Sequence, residues 1–541
     1  MIYFAAFGVA LVLTVALMPP LIRFSGMLRL LDKPGERKVH AAPIPRVGGI
    51  SMVLGVVLPV LLWVPMEREM ISLLIGIAIL FVFGLWDDRG DLDYRLKFLG
   101  QLLAASVVVG YGGIVIKVLP FFGLDPVSDW IAMPFSVVVI VAVTNSINLA
   151  DGLDGLAAGM MFLTLAGTAL LAYLSDGFDV LLLALAAMGA IMGFLRFNTF
   201  PARIFMGDTG SQFLGFIVAT ILIMLTQVTH PVLNPALPLL LLGVPLFDTA
   251  FVMVKRLYTG KSPFAADRNH IHHQILALKF NHYEAVVLIY LAQAVFVSTA
   301  LVMRYESDLV VVLAWLLANT MLASIIIIAG RKRWYAHQSS GGSIIARMAG
   351  MLRSHHWYRY TLGLIAACVL AVLLAGPLLT NGIDREFGLV ACILSLFLAL
   401  RLVFGYRLWF VSLRLIAFVT IAFLIYLMQE YPAGYLRIPG IYETVFYGII
   451  VAALLFGARF IMDEAFQVTP MDLLLVLVLV GLVFIPQAGL LEEDMIRLVI
   501  KVVIMFYAVE FSLRGIEKRV NAVTVGVLWA LGVIAARGLV L

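Results

Sequence analysis

The stretch MIYFAAFGVALVLTVALMPPLI, residues 1–22, contains no charged side chain. A helix needs about 20 mostly apolar residues to cross a bilayer, and this run supplies them. It has no basic segment ahead of the apolar run and no clear small-residue cleavage site, so it reads as a retained first helix and not as a removable leader. Similar runs recur along the whole chain, roughly eighteen of them. Composition agrees: 63% of the 541 residues are hydrophobic and 13% are charged, with a mean hydropathy of +1.06. A soluble domain is nearer about half apolar and a quarter charged. A membrane barrel would need short alternating segments, and these runs are continuous. The expected fold is all-α, a polytopic helical membrane protein.

The two cysteines, Cys368 and Cys392, lie inside apolar runs and read as small core residues. The net charge of +5 is modest, and its placement is more informative. Alternate gaps between runs are rich in Lys and Arg: Arg23 to Arg46, Arg89 to Lys97, Lys255 to Lys279, Arg331 to Arg359, and Arg514 to Arg519. The other gaps hold few, such as Arg68, Lys117, Arg304, Arg385 and Arg437. By the positive-inside rule the rich set is cytoplasmic and the N-terminus lies outside. A basic segment with Ser339-Ser340-Gly341-Gly342 divides the chain. The expected organisation is a membrane domain over 1–335 with about eleven spans, a linker over 336–360, and a bundle of about seven spans over 361–541.

Five polar clusters interrupt the gaps on the basic side. The first, Asp32 to Gly49, includes Lys38, His40 and Arg46 among prolines and glycines and suits an anionic ligand, or merely sets topology. The second is Asp87-Asp88-Arg89 with Lys97; adjacent carboxylates repel and suit metal-phosphate or proton chemistry, or form a solvated helix end. The third, Asn145 to Leu156, holds Asn145, Asn148, Asp151 and Asp154 between two apolar runs. One acid could cap a helix, but capping does not account for both asparagines. The fourth, Arg203 to Ser211, carries Asp208, a hard oxygen donor of the kind Mg²⁺ takes, with Gly207 and Gly210 allowing close backbone approach to a ligand. The fifth holds Arg268, His270, His272 and His273. A helix would not place all three histidines on one face, which argues against zinc and for donors to phosphate or carbonyl oxygens. A transporter would carry such groups near the bilayer midplane in broken helices, whereas these sit at helix ends. A silent scaffold is the other alternative. Together the clusters have the inventory of a metal-diphosphate site, and the apolar surround offers entry to a lipid.

The ordered set DDR(x)7K, NSINLADGLDGLAAG, RIFMGDTGS and SPFAADRNHIHH resembles the polyprenyl-phosphate N-acetylhexosamine-1-phosphate transferases, most of all the bacterial undecaprenyl-phosphate N-acetylglucosamine branch. The likeness covers about residues 1–335. It implies transfer of N-acetylglucosamine 1-phosphate from a UDP-sugar to undecaprenyl phosphate with release of UMP, opening O-antigen or another cell-surface glycan. It implies Mg²⁺, with Mn²⁺ as a substitute, held by Asn148 and Asp208. Asp87 and Asp88 match an essential acidic pair, with Asp151 and Asp154 in the nucleotide or catalytic network. Lys97 matches a phosphate-contacting lysine, and Arg268, His270, His272 and His273 a loop gripping the diphosphate or sugar. Asn145, Lys38 and His40 are further expected substrate contacts. Ile271 breaks the run of three histidines typical of the sister muramoyl-pentapeptide transferases. A homodimer in the bacterial inner membrane is expected, and no nucleic-acid partner. Another UDP-sugar donor, such as a 6-deoxy-N-acetylhexosamine or UDP-N-acetylmuramoyl-pentapeptide, is the alternative within the class. The region after 360 departs from the family; docking of glycan-assembly proteins, regulation and a second activity are its open readings. Glu510 with Arg514, and Arg497 with Lys501, stand there at i,i+4 spacing.

Overall fold

Within the bilayer a backbone satisfies its own hydrogen bonds only as a helix or a closed barrel, and the chain takes the first solution. The computed structural model describes residues 2–32, 43–90, 92–123, 125–260, 262, 269–332, 358–381, 383, 385–404, 406–431, 440–460, 493–513 and 517–540. Among them the sole sheet is a two-stranded antiparallel ribbon, β1 (Leu31–Asp32) and β2 (Ile44–Pro45), with Leu31 opposite Pro45. Ten described helices are long and apolar enough to span a membrane, and three shorter apolar helices accompany them. The lower number than the apolar runs suggest has a simple origin. Several runs form helices of 16 or 17 residues, and residues 461–492 fall outside the described set.

The described residues separate into two compact units, those through Lys332 and those from Tyr358 onward. Each has its own apolar core. The first unit contains α1 (Ile2–Phe24), α2 (Gly48–Trp63), α3 (Arg68–Gly90), α4 (Tyr94–Gly110), α5 (Asp129–Ala150), α6 (Leu156–Leu174) and α7 (Phe178–Asn198). It continues with α8 (Gly207–Ile223), prolonged by a π turn to Thr229, then α9 (Leu237–Leu241), α10 (Gly243–Tyr258), α11 (Ile271–Ala277), α12 (His282–Val302) and α13 (Asp308–Arg331).

The centre of this unit is α8, packed by α2, α3, α5 and α6. Its apolar window is 83% buried against 17% for α13, so α8 is an interior helix and α13 a peripheral one. Lipid tails are as apolar as leucine, so helices here associate by close packing, which small residues permit. Gly84 lies against the Thr209 backbone, and Gly215 against that of Thr144, where a Cβ would meet Cα atoms at 2.6 Å in both cases. These two approaches lock α3 and α5 onto α8. The N-terminus of α8 therefore meets the C-terminal ends of both.

That end of the unit also carries Arg23, Arg46, Arg89, Lys97, Arg196, Lys255, Arg256 and Lys279. The far end carries Glu67, Glu69, Asp129, Asp176, Asp179, Glu306 and Asp308 around Arg68, Lys117 and Arg304.

The second unit comprises α14 (Tyr358–Ala375), α15 (Arg385–Phe404), α16 (Tyr406–Glu430), α17 (Gly440–Phe460), α18 (Glu493–Leu513) and α19 (Glu517–Val540). Lys501 of α18 pairs across helices with Glu443 at 2.7 Å and contacts Gln429 Oε1 at 3.4 Å. Arg514 lies outside the described residues.

Candidate active site

A helix start leaves its first N–H groups without intrahelical partners, and α8 resolves this with a carboxylate from α3. Asp88 Oδ1 accepts from the Asp208 N–H at 2.8 Å; its Oδ2 accepts from the Thr209 N–H at 3.0 Å and the Thr209 hydroxyl at 2.6 Å. Asp87 faces elsewhere. Its Oδ1 accepts from the Leu92 N–H at 2.7 Å, and its Oδ2 lies 2.5 Å from the Lys97 ammonium. Lys97 stands 3.8 Å from Asp208 Oδ1, between two carboxylates. Asp208 Oδ1 also accepts from Asn148 at 2.8 Å.

Behind this cluster runs a chain of amides. Asn145 donates to Gln101 at 2.5 Å, Gln101 to Gln212 at 3.2 Å, and Gln212 reaches Asp208 at 3.5 Å. Gln101 and Gln212 are absent from the sequence-based set. The signal for them is a buried amide inside an otherwise apolar helix, a costly placement that usually has a purpose.

The third cluster splits. Asp151 ends α5 and stays near the carboxylates: burial, then Asp208, Asp154 and Asp88, push its carboxyl up to about 7. Asp154 Oδ2 instead accepts from the Ala202 N–H at 2.9 Å, holding the loop that leads to Asp208. Neither acid caps α6. That role falls to Gly155 at φ +78°, whose N–H donates to Asn198 Oδ1 at 2.8 Å and whose carbonyl accepts from Tyr290 at 2.6 Å.

The glycines of the fourth cluster meet protein on the side where a Cβ would stand. Gly210 abuts the backbone of Gly49, and Gly207, at φ +68°, faces the Asp88 carboxylate.

The three histidines do come together, because His270 lies in extended backbone ahead of α11 while His272 and His273 sit in its first turn. The His270 and His272 rings are 5.8 Å apart, and those of His272 and His273 are 4.2 Å apart. Asp248 of α10 fixes this arrangement. It lies 2.8 Å from His270 Nδ1 and accepts from the Ile271 N–H at 2.9 Å. His272 rests on Gly152, where a Cβ would collide with its ring, so the histidine loop sits on the Asp151–Gly155 segment. Burial, then the neighbouring His273, His270 and His282, lower the His272 pKa to about 3, which leaves a neutral ring for hydrogen bonding. His282, stacked on Phe200 at 4.4 Å, is a further neighbour missing from the sequence-based set. Lys38, His40 and Arg268 lie outside the described residues.

Among the described residues no three His, Cys, Asp or Glu side chains form a protein-only metal cage. Mg²⁺ does not require one, since it takes one or two carboxylates and completes its shell with phosphates and water. Asp87 and Asp208, which share one ammonium, and Asn148, bonded to Asp208, fit that demand.

The profile of glycosyl transferase family 4 matches residues 70–226, from the first turn of α3 to the middle of the π turn after α8, and so includes the carboxylate cluster. A probable undecaprenyl-phosphate N-acetylglucosaminyl 1-phosphate transferase of Bacillus subtilis is 37% identical over 306 residues, 55% of this chain and 84% of the relative. A decaprenyl-phosphate N-acetylglucosaminephosphotransferase of Mycolicibacterium smegmatis is 34% identical, covering 48% of this chain and 71% of the relative. An undecaprenyl-phosphate alpha-N-acetylglucosaminyl 1-phosphate transferase of Yersinia pestis is also 34% identical, over 49% of this chain and 74% of its own length. The C-terminal membrane extension is unmatched. The ordered motifs, the site they build and these relatives agree, and the chain belongs to the polyprenyl-phosphate N-acetylhexosamine-1-phosphate transferases of glycosyl transferase family 4.

Proposed function

We propose that the chain transfers N-acetylglucosamine 1-phosphate from UDP-N-acetylglucosamine to undecaprenyl phosphate, giving undecaprenyl-diphospho-N-acetylglucosamine and UMP and so opening a cell-surface glycan. The observation that carries this reading is the meeting of Asp87, Lys97, Asn148 and Asp208 at the N-terminus of α8. The names of the relatives supply the sugar and the lipid. The basic residues at this end of the unit favour the cytoplasmic side of the inner membrane, where nucleotide sugars are found.

A lipid phosphomonoester with a second pKa of about 6 is mostly dianionic at neutral pH. Its attack on the β-phosphorus needs charge repulsion relieved more than it needs a proton removed. An oxygen of the lipid phosphate forms the new P–O bond, the bond from the β-phosphorus to the bridging oxygen breaks, and UMP leaves with that oxygen. Mg²⁺, held by Asp208 and Asn148 with Asp87 beside them, supplies charge neutralisation to the diphosphate when bound. Lys97 can turn from its carboxylate partners to the incoming phosphates, a compact cation on a flexible stem. His270, oriented by Asp248, offers a directional hydrogen bond, and neutral His272 offers another without adding fixed charge. Asp88 keeps Asp208 in place and has both oxygens engaged in doing so. Asp87 is tied to Lys97 and the Leu92 N–H, which favours an orienting role over attack on phosphorus.

The purified full chain, given undecaprenyl phosphate, Mg²⁺ and a panel of UDP-sugars, should release UMP with UDP-N-acetylglucosamine, and Asp208→Ala should abolish that release. No UMP from any donor would overturn the reading.

A further inference from the structure

One cation at the site has no role in the mechanism above. Arg46 leaves the β1–β2 ribbon, its N–H bonded to the Leu30 carbonyl at 2.8 Å. The segment around it is laced to the loop that carries Asp208. Phe205 N–H donates to the Pro45 carbonyl at 2.8 Å, Gly48 N–H to the Phe205 carbonyl at 3.0 Å, and Gly49 N–H to the Met206 carbonyl at 2.9 Å. Two residues further on stands Asp208. The backbone of Arg46 is thus tied to the wall of the carboxylate cluster.

Its guanidinium pairs with Asp32, whose side chain is 8% exposed while that of Arg46 is 23% exposed. The pair is therefore asymmetric: the acid is buried and the base reaches the surface. Burial opposes the charge on Arg46, yet Asp32, and beyond it Asp88 and Asp208, hold its pKa above the ordinary value. Lys97 contacts the cluster through Asp87 and Asp208. Arg46 reaches it from the backbone laced to the Phe205–Met206 segment, and the charges of Asp88 and Asp208 favour its protonated form.

From this placement we infer that Arg46 is a substrate-binding residue, whose guanidinium, held in place by Asp32, binds a phosphate of one of the two substrates. The inference rests on the phosphotransfer reading of the site. A planar guanidinium presents several N–H donors in a fixed fork that matches phosphate oxygens, and a pairing with one carboxylate oxygen leaves donors for a second anion. The reaction brings a monoester dianion against a diphosphate. A second fixed cation on the segment laced to the Asp208 loop serves that encounter, whichever of the two phosphates it touches.

The test is binding by the detergent-solubilised full chain, with Mg²⁺, of UDP-N-acetylglucosamine and of a short-chain polyprenyl phosphate, each measured alone. Arg46→Gln by itself would take the guanidinium away from a buried carboxylate and risk disturbing the ribbon. The informative comparison is Asp32→Asn, which keeps the guanidinium, against the double variant Asp32→Asn/Arg46→Gln, which removes both charges. Asp32→Asn should weaken binding at most about threefold through a looser guanidinium, and the double variant at least about tenfold further, the scale of a charge-assisted hydrogen bond. Loss confined to the nucleotide sugar assigns Arg46 to the donor, and loss confined to the lipid assigns it to the acceptor. If both variants bind both substrates equally well, or lose binding equally, Arg46 is only the clamp of the ribbon and the inference fails. A wild-type chain that binds neither substrate would overturn the phosphotransfer reading itself, and this inference with it.

Discussion

Gly207→Ala tests how the carboxylate cluster is held. Gly207 sits at φ +68°, in the left-handed region, and a Cβ there would stand 2.5 Å from both Asp88 carboxylate oxygens. Gly155 provides an internal control: its φ is +78°, but its Cβ would meet nothing closer than the Tyr290 hydroxyl at 3.5 Å. Left-handed backbone costs an L-residue about 1–2 kcal/mol, so both alanine variants carry that penalty. Only Gly207→Ala also displaces Asp88, which accepts three hydrogen bonds at 2.6–3.0 Å from Asp208 and Thr209. Bonds to a charged acceptor contribute about 1.5–3 kcal/mol each. Losing even one makes Gly207→Ala the less stable variant by about that amount, and Asp208 shifts with the start of α8. The assays are thermal unfolding in detergent and UMP release. Gly155→Ala should keep activity within about threefold, and Gly207→Ala should lose about a hundredfold, the scale of misplaced catalytic groups. Equal stability and equal activity in the two variants would refute the claim that Asp88 anchors Asp208.

Four further outcomes follow from the same contacts. Asp87→Asn should cost activity about a hundredfold with little change in unfolding temperature, whereas Asp88→Asn, which turns an amide N–H toward backbone donors, should lower both; matching stability profiles would count against the division of roles. Asp151, with its folded carboxyl pushed up to about 7, binds a proton more tightly folded than unfolded, so its contribution is fully present below about pH 4 and is lost as pH rises through about 7. In metal-free protein Asp151→Asn should therefore match wild type near pH 4 and exceed it in unfolding temperature at pH 8; a pH-independent difference would exclude this origin. Asp248→Asn should weaken binding of the UDP-sugar by about tenfold as His270 loses its orienting partner, a result checked by titration; unchanged affinity removes the histidine loop from the donor site. A chain ending near residue 335 should fold and retain UMP release, because the two apolar cores share no residue; loss of activity in a folded truncation would give the extension a catalytic part.

The membrane fold was legible because continuous apolar runs have one dominant solution in a bilayer, and the charge bias marked one end of the helices. Asp87, Lys97, Asn145, Asn148 and Asp208 were readable as a group because each interrupts an apolar run on the same side. What could not be read were the contacts made at long sequence separation. Gln101 and Gln212, 111 residues apart, look like isolated amides until α4 and α8 are placed side by side. Asp248 looks like a lone acid within α10, and only the fold shows that it orients His270. Gly207 and Gly210, read in the sequence as room for a ligand, also leave the room that Asp88 and Gly49 occupy. A sequence shows that a Cβ is missing, not which neighbour needs the space.

The adjacent acids Asp87 and Asp88 show why a helix end is a good place to build this site. Neighbouring residues on a helix point about 100° apart, so two carboxylates at one end cannot serve the same partner. In α3 the first turns to Lys97 and the second to the N-terminus of α8. The repulsion expected of an acidic pair is thus divided between an ammonium and the positive end of a helix dipole, each favourable to a carboxylate. Close approach at Gly84 and Gly207 makes that division geometrically available. The same contacts that satisfy orphan N–H groups at the membrane surface leave Asp87 and Asp208 beside one exchangeable cation. Structural anchoring and the chemistry of the site are, at this helix end, two uses of one pair of residues.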